Sequence, residues 1–172
     1  MTDDTGFKQP RAGERALPFD PGALAPDAGI TFIGRIRSPW TERAECPKNM
    51  VAARATGQPA SLLLDPRYRD GLLGLERFSH VAILTWLDRA RRDLVVQRPH
   101  HATEPRGVFS LRSPVRPNPI GLHIAKIVAI DRDAAIVTLE AIDVLDGTPV
   151  IDLKPYFAST DAVPEAVGGN RS

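Results

Sequence analysis

The sequence is short of cysteine, of long apolar runs and of any excess of one charge. Its single cysteine, Cys46, can form no internal disulfide, which fits a reducing cytoplasm. No apolar run approaches the roughly 18 residues that span a bilayer, so no membrane segment is expected. The opening MTDDTGFKQPRAGER is polar and lacks the apolar centre of a secretory signal. With 22 basic and 21 acidic residues the net charge is +1. That excludes an overall basic field for nucleic acid, although a local patch remains open. No GxGxxG supports a Rossmann-type nucleotide fold. His80, His100, His101 and His123 show no HxH or HxxxH spacing, and one cysteine completes no zinc pattern. No metal is therefore expected. No serine or cysteine nucleophile has a recognisable setting, and nothing marks a base partner for Cys46.

What is present suits one domain with tails: 172 residues, 42% of them apolar. Residues 1–28 hold Pro10, Pro18, Pro21 and Pro26 with little periodic apolar content, and read as a flexible N-terminal tail. Residues 158–172, ending in VGGNRS, read as a C-terminal tail. Between them, 29–157 form the expected domain. Strand signals dominate it: 30–37, 61–65, 80–87, 107–113, 120–130, 134–145 and 150–156. Residues 65–78 suit a short helix, and DRARRDL (88–94) a loop or one helical turn. Ile120, Leu122 and Ile124 share a face, and a phase shift near Lys126 suggests a bulge. Asp131-Arg132-Asp133 closes a hairpin, and Asp146-Gly147-Thr148-Pro149 reads as a turn. The expected fold is mainly β, a small closed or nearly closed barrel with one or two short helices.

Three stretches can carry chemistry. In RSPVRPNPIGL (112–122), Arg116 and Asn118 each precede a proline and are held extended. Fixed arginines suit a carboxylate or phosphate; the alternative is a rigid turn with arginines in water. In EAIDVLDGTPVIDLKPY (140–156), Glu140, Asp143, Asp146 and Asp152 can bind a ribose diol or a cation, or can simply be hairpin chemistry. In RSPWTERAECPKNM (37–50), Trp40 with Arg43 and Lys48 can stack on a base and grip phosphate, or can be an ordinary flexible loop.

The order RSP…FSH…GVFSLRSPVRPNPIGL…DVLDGTPVIDLKPY resembles the TsaA-like (YaeB-like) family of the tRNA methyltransferase O type, over about residues 30–157. The resemblance implies a β-barrel that binds S-adenosylmethionine without a Rossmann fold and works as a homodimer. It implies methylation of the exocyclic nitrogen of a threonylcarbamoyl-adenosine in tRNA. It places cofactor contacts on Pro47, Lys48 and Asn49, where the family has Pro-Arg-Gln. Further contacts fall on Asp88 and Arg89, on Arg112, on Leu122, and on Glu140, Ala141, Ile142 and Asp143. Arg116, Asn118, Asp146, Lys154 and Tyr156 are candidates to face the substrate, and no base is assigned. The altered loop at 47–49 leaves open the same barrel with a different acceptor, and a third reading, from another class, is a cofactor-binding sensor without turnover. For RNA, the local patch would draw on Arg89, Arg91, Arg92 and Arg98.

Overall fold

The computed structural model describes residues 9–99 and 102–168. His100, His101 and the outer ends of both expected tails lie outside them. Its strands are β1 (Arg15–Ala16), β2 (Gly34–Arg37), β3 (Ala60–Leu64), β4 (His80–Trp86), β5 (Leu94–Gln97), β6 (Arg106–Gly107), β7 (Ile120–Asp131), β8 (Ile136–Leu139) and β9 (Pro149–Pro155). Two short helices, α1 (Met50–Ala55) and α2 (Ala158–Asp161), and several 3₁₀ turns join them. The described residues divide into two compact units. One comprises 30–87 and 120–165; the other comprises the described parts of 1–29, 88–119 and 166–172.

The first unit is a closed barrel in the order β2-β3-β8-β7-β4-β9, with every pairing antiparallel. Closure leaves no free edge. Alternation fills the interior: β3 buries Ala60, Leu62 and Leu64, while β4 buries Val81, Ile83 and Thr85. Ile36, Leu139, Ile142, Val144 and Val150 complete the core. Gly34 permits the close approach of β2 to β3, since a methyl group there would lie 2.4 Å from the Leu63 carbonyl oxygen. The phase shift expected near Lys126 is a register shift between Ile127 and Ala129. The face that carries Ile120 and Leu122 points outward, leaving them 42% and 45% exposed.

The second unit is a three-stranded sheet in the order β1-β5-β6. Here the expectations at 1–28 and 107–113 meet a different arrangement. Within the supposed N-terminal tail, Arg15 and Ala16 pair with β5, and the Leu17 N–H donates to the Asp93 carbonyl at 2.7 Å. The strand expected over 107–113 ends at Gly107, the last residue of β6. After β6 the chain turns through a 3₁₀ segment, Val108–Ser110, and the Val108 and Leu111 carbonyls are taken by the Arg116 guanidinium.

Three further expectations differ in the barrel unit. The helix placed at 65–78 is two 3₁₀ segments, Pro66–Leu72 and Leu75–Arg77, separated by Gly74 at φ +87°. The strand placed at 134–145 ends at Leu139: the Glu140 N–H still donates to the Lys126 carbonyl, but the Ile142 and Val144 carbonyls are taken by the loop after β2. The start of the supposed C-terminal tail forms α2, closed by the Phe157 N–H donating to Asp161 Oδ2 at 2.8 Å. Phe157 also meets Phe78 edge to face, 5.0 Å between ring centres.

Candidate functional site

One end of the barrel interior is polar. On β7, Gly121 and His123 alternate inward, opposite Thr85 and Ile83 of β4. Thr85 is fully buried and His123 is 5% exposed. Buried polar groups need partners, and these two serve each other: Thr85 Oγ1 lies 2.9 Å from His123 Nε2. The other ring nitrogen, Nδ1, lies 2.6 Å from Asp143 Oδ1. A methyl group on Gly121 would come within 2.4 Å of Thr85 Oγ1 and 2.6 Å of His123 Nε2. The glycine of the Pro-Ile-Gly-Leu stretch is therefore what makes room for this chain of bonds.

Asp143 belongs to an irregular segment, 140–147, that follows β8. The segment is held down by the loop after β2. Trp40 Nε1 donates to the Ile142 carbonyl at 2.9 Å, and Ser38 Oγ to the Val144 carbonyl at 2.8 Å. The Ser38 N–H donates to Asp146 Oδ1 at 3.1 Å, and Arg37 pairs with Asp146 Oδ2 at 3.0 Å. The Arg-Ser-Pro-Trp sequence thus works as a clamp, with the Trp40 indole N–H committed to backbone.

The loop continues through Cys46, Pro47 and Lys48 to Asn49, whose side chain caps α1 by accepting from the Ala52 N–H at 2.9 Å. This cap sets the direction of α1. Its Arg54 pairs with Glu140 at 2.8 Å and donates to the Ile124 carbonyl at 2.7 Å. Glu140 also accepts from the Lys126 N–H at 3.1 Å. Burial pushes the Glu140 carboxyl up, but the Arg54 and Lys126 bonds outweigh it and hold the group below its ordinary value. Burial pushes the Cys46 thiol up; Arg43 opposes this and Asp143 adds to it. Cys46 is therefore no activated nucleophile.

The barrel unit brings together most of the expected cofactor contacts: Pro47, Lys48 and Asn49 on the loop, Leu122 on β7, and Glu140, Ala141, Ile142 and Asp143 on the segment. Ala141 and Ile142 are buried, so the segment presents backbone there and a carboxylate at Asp143. Among the described residues, Asp143 Oδ2 has no hydrogen-bond partner. Asp146 is tied to Arg37 and Ser38, Lys154 pairs with Asp152 at 2.9 Å, and Tyr156 packs edge-on to His80.

Asp88, Arg89, Arg112, Arg116 and Asn118 lie in the other unit. Asp88 and Arg89 are exposed in a turn, and Arg112 is exposed beyond the 3₁₀ segment instead of at a strand end. Arg116 folds back on its own loop, donating to the Ser113 and Val108 carbonyls at 3.0 Å each and to Leu111. Arg92 grips the Pro117 carbonyl at 2.6 Å and Asn118 Oδ1 at 3.3 Å. Arg91 forks onto the buried Asp93 at 2.8 and 2.6 Å. Arg116 of the loop, and Arg91 and Arg92 before β5, thus brace the protein itself.

Sequence reasoning missed Thr85, His123 and Arg54. For His123 a signal was there: a polar residue in phase with the buried positions of an apolar strand. Among the described residues no three His, Cys, Asp or Glu side chains are grouped as metal ligands.

The family profile of the tRNA-methyltransferase O N-terminal domain matches residues 35–162. A protein of Archaeoglobus fulgidus named as a probable S-adenosyl-L-methionine-binding protein is 38% identical over 134 residues, 78% of this chain and 35% of its own length. The tRNA (adenine(37)-N6)-methyltransferase of Escherichia coli is 34% identical over 140 residues, 78% of this chain and 60% of its own. The crystal structure of TrmO from P. aeruginosa superposes with a TM-score of 0.69 at 33% identity, covering 86% of this chain and 63% of that one. The chain thus spans less than two thirds of each of these proteins. With a barrel that superposes on TrmO, and a profile match running from β2 to beyond α2, the chain belongs to the tRNA-methyltransferase O N-terminal domain family.

Proposed function

We propose that this chain is an S-adenosylmethionine-dependent methyltransferase that acts on the exocyclic nitrogen of threonylcarbamoyl-adenosine in tRNA. One observation carries the reading. The Cys-Pro-Lys-Asn loop, the Glu-Ala-Ile-Asp segment and the Ile-Gly-Leu start of β7, distant in sequence, converge on one end of the barrel and leave a carboxylate oxygen of Asp143 open.

The residues present fit this cofactor. When bound, it supplies an electrophilic methyl group on a cationic sulfonium. Asp143 offers a carboxylate for its amino group or ribose, residues 141–142 offer backbone, and Leu122 offers apolar surface. Glu140 is occupied by Arg54 and acts by fixing the segment. Pro47, Lys48 and Asn49 shape the loop, Asn49 through its cap. For Asp88, Arg89 and Arg112, in the other unit, support comes from the family pattern. The substrate roles of Arg116, Asn118, Asp146, Lys154 and Tyr156 rest on that pattern as well, and the internal bonds of Arg116 and Asp146 favour scaffold work for those two. Methyl transfer to a nitrogen is largely a matter of positioning.

The domain that carries this chemistry is proposed as 29–157. The outward apolar pair Ile120 and Leu122 supports a homodimer, which light scattering tests. The lone thiol supports a cytoplasmic setting, and among the described residues no helix is long and apolar enough to cross a membrane. The test of function is transfer of labelled methyl to bulk tRNA from cells lacking their own enzyme; label in the tRNA is the expected result. Cofactor binding with no transfer to any RNA would favour the second reading, a binding protein, which the name of the Archaeoglobus relative supports.

A further inference from the structure

Thr85, His123 and Asp143 line up as hydroxyl, imidazole and carboxylate, the order of a nucleophilic triad, yet their burial runs the opposite way. The hydroxyl is fully buried, the imidazole is 5% exposed, and the Asp143 side chain is 16% exposed. A hydroxyl sealed inside a barrel attacks nothing. The end that reaches a ligand is the carboxylate.

We propose that His123 is a positioning residue that holds Asp143 for the cofactor, with Thr85 fixing the ring. The inference rests on the methyltransferase reading above. A carboxylate only accepts, so the 2.6 Å bond puts a proton on His123 Nδ1. In the neutral ring Nε2 is then an acceptor, and the Thr85 hydroxyl 2.9 Å away donates to it. One tautomer satisfies both bonds. It binds Oδ1 of Asp143 and leaves Oδ2, on a side chain 16% exposed, to accept from an ammonium or a diol. Gly121 keeps the space in which the two inner side chains meet. Imidazoles that support a working carboxylate or metal owe their orientation to such outer partners.

Two measurements test this. The first is nitrogen and proton NMR of the His123 ring in the ligand-free protein. We expect the Nδ1–H tautomer, with a downfield Nδ1 proton that moves upfield in Asp143→Asn, whose neutral amide oxygen accepts more weakly. An Nε2–H tautomer would overturn the proposal whether or not the protein binds the cofactor. The second is calorimetric binding of S-adenosylmethionine, with melting temperature recorded alongside. His123→Leu should weaken binding about tenfold, the scale of a lost charge-assisted hydrogen bond. His123→Asn, whose amide can donate in place of Nδ1, should recover most of the loss. If His123→Leu does not fold, Thr85→Val preserves packing and should still weaken binding severalfold. Binding by Thr85→Val, and by His123→Leu where it folds, equal to that of the wild type would reduce the trio to ordinary core. Failure of the wild type to bind the cofactor would instead overturn the methyltransferase reading, while the tautomer still decides the role of His123.

Discussion

The barrel unit and the sheet unit are held together by different means. In the barrel, six antiparallel strands exchange backbone bonds around an apolar interior, and the charged pairs sit at the rim. In the other unit the strands are two to four residues long. Arginine side chains do there what a ladder does elsewhere. Arg116 and Arg92 collect carbonyls of the Pro-rich loop, Arg91 forks onto Asp93, and Arg11 pairs with Glu14 at 2.6 Å. Backbone that cannot pair with a strand must bond elsewhere, and guanidinium, with five donors, is suited to that work. The contrast separates two uses of rigidity: the barrel places a carboxylate, and the arginine-braced loop places itself.

The largest effect should come from the barrel core. Leu62 is fully buried, and Leu62→Ala should cost about 3 kcal/mol, a fall of roughly 10 °C in melting temperature. A loss under about 1 kcal/mol would mean that the ladder, not the interior, carries the unit. Next is Arg116→Ala, which orphans three carbonyls and should cost about 2 kcal/mol. Hydrogen exchange across 107–116 should rise, whereas unchanged protection there would weaken the distinction drawn above.

The third test uses acid. Burial pushes Glu14 up, but the bonds from the Arg11 side chain and N–H and from the Arg98 N–H outweigh it, bringing its pKa down from 4.5 to about 2. A depressed carboxyl contributes stability that is fully present above its ordinary value and is lost as pH falls through its folded one. Protection of the β1–β5 pairing should therefore decline between about pH 4.5 and 2, and Glu14→Gln should flatten that decline. The smallest effect is Arg54→Ala. It removes one rim pair, with side chains 39% and 26% exposed, and should cost about 1 kcal/mol or less. The Glu140 carboxyl should then titrate higher than in the wild type.

Much of this was legible in the chain. The continuous apolar run at 80–87 and the shared face of Ile120, Leu122 and Ile124 named β4 and β7, and the phase shift near Lys126 anticipated the register shift, because strand patterning is local. The family resemblance grouped Asp143, Leu122 and the loop at 47–49, and the barrel unit holds all three. Less legible was which side chains are free to act. Arg116 and Asp146 read as candidate ligand contacts, yet their bonds go to protein atoms up to 109 residues away. Trp40 read as a stacking surface and serves as a clamp.

By itself, then, the sequence determined the family and the mainly β composition, because motif identity and strand periodicity are carried by neighbouring residues. Only the tertiary structure decided that Arg15 and Ala16 join a sheet, that 140–147 leaves the ladder, and that Gly121 makes room for Thr85 beside His123. Each depends on a partner 36 residues away or more, whose position is set by packing and strand pairing. Hydrogen bonds and burial between distant segments are properties of the folded chain, and no local pattern encodes them.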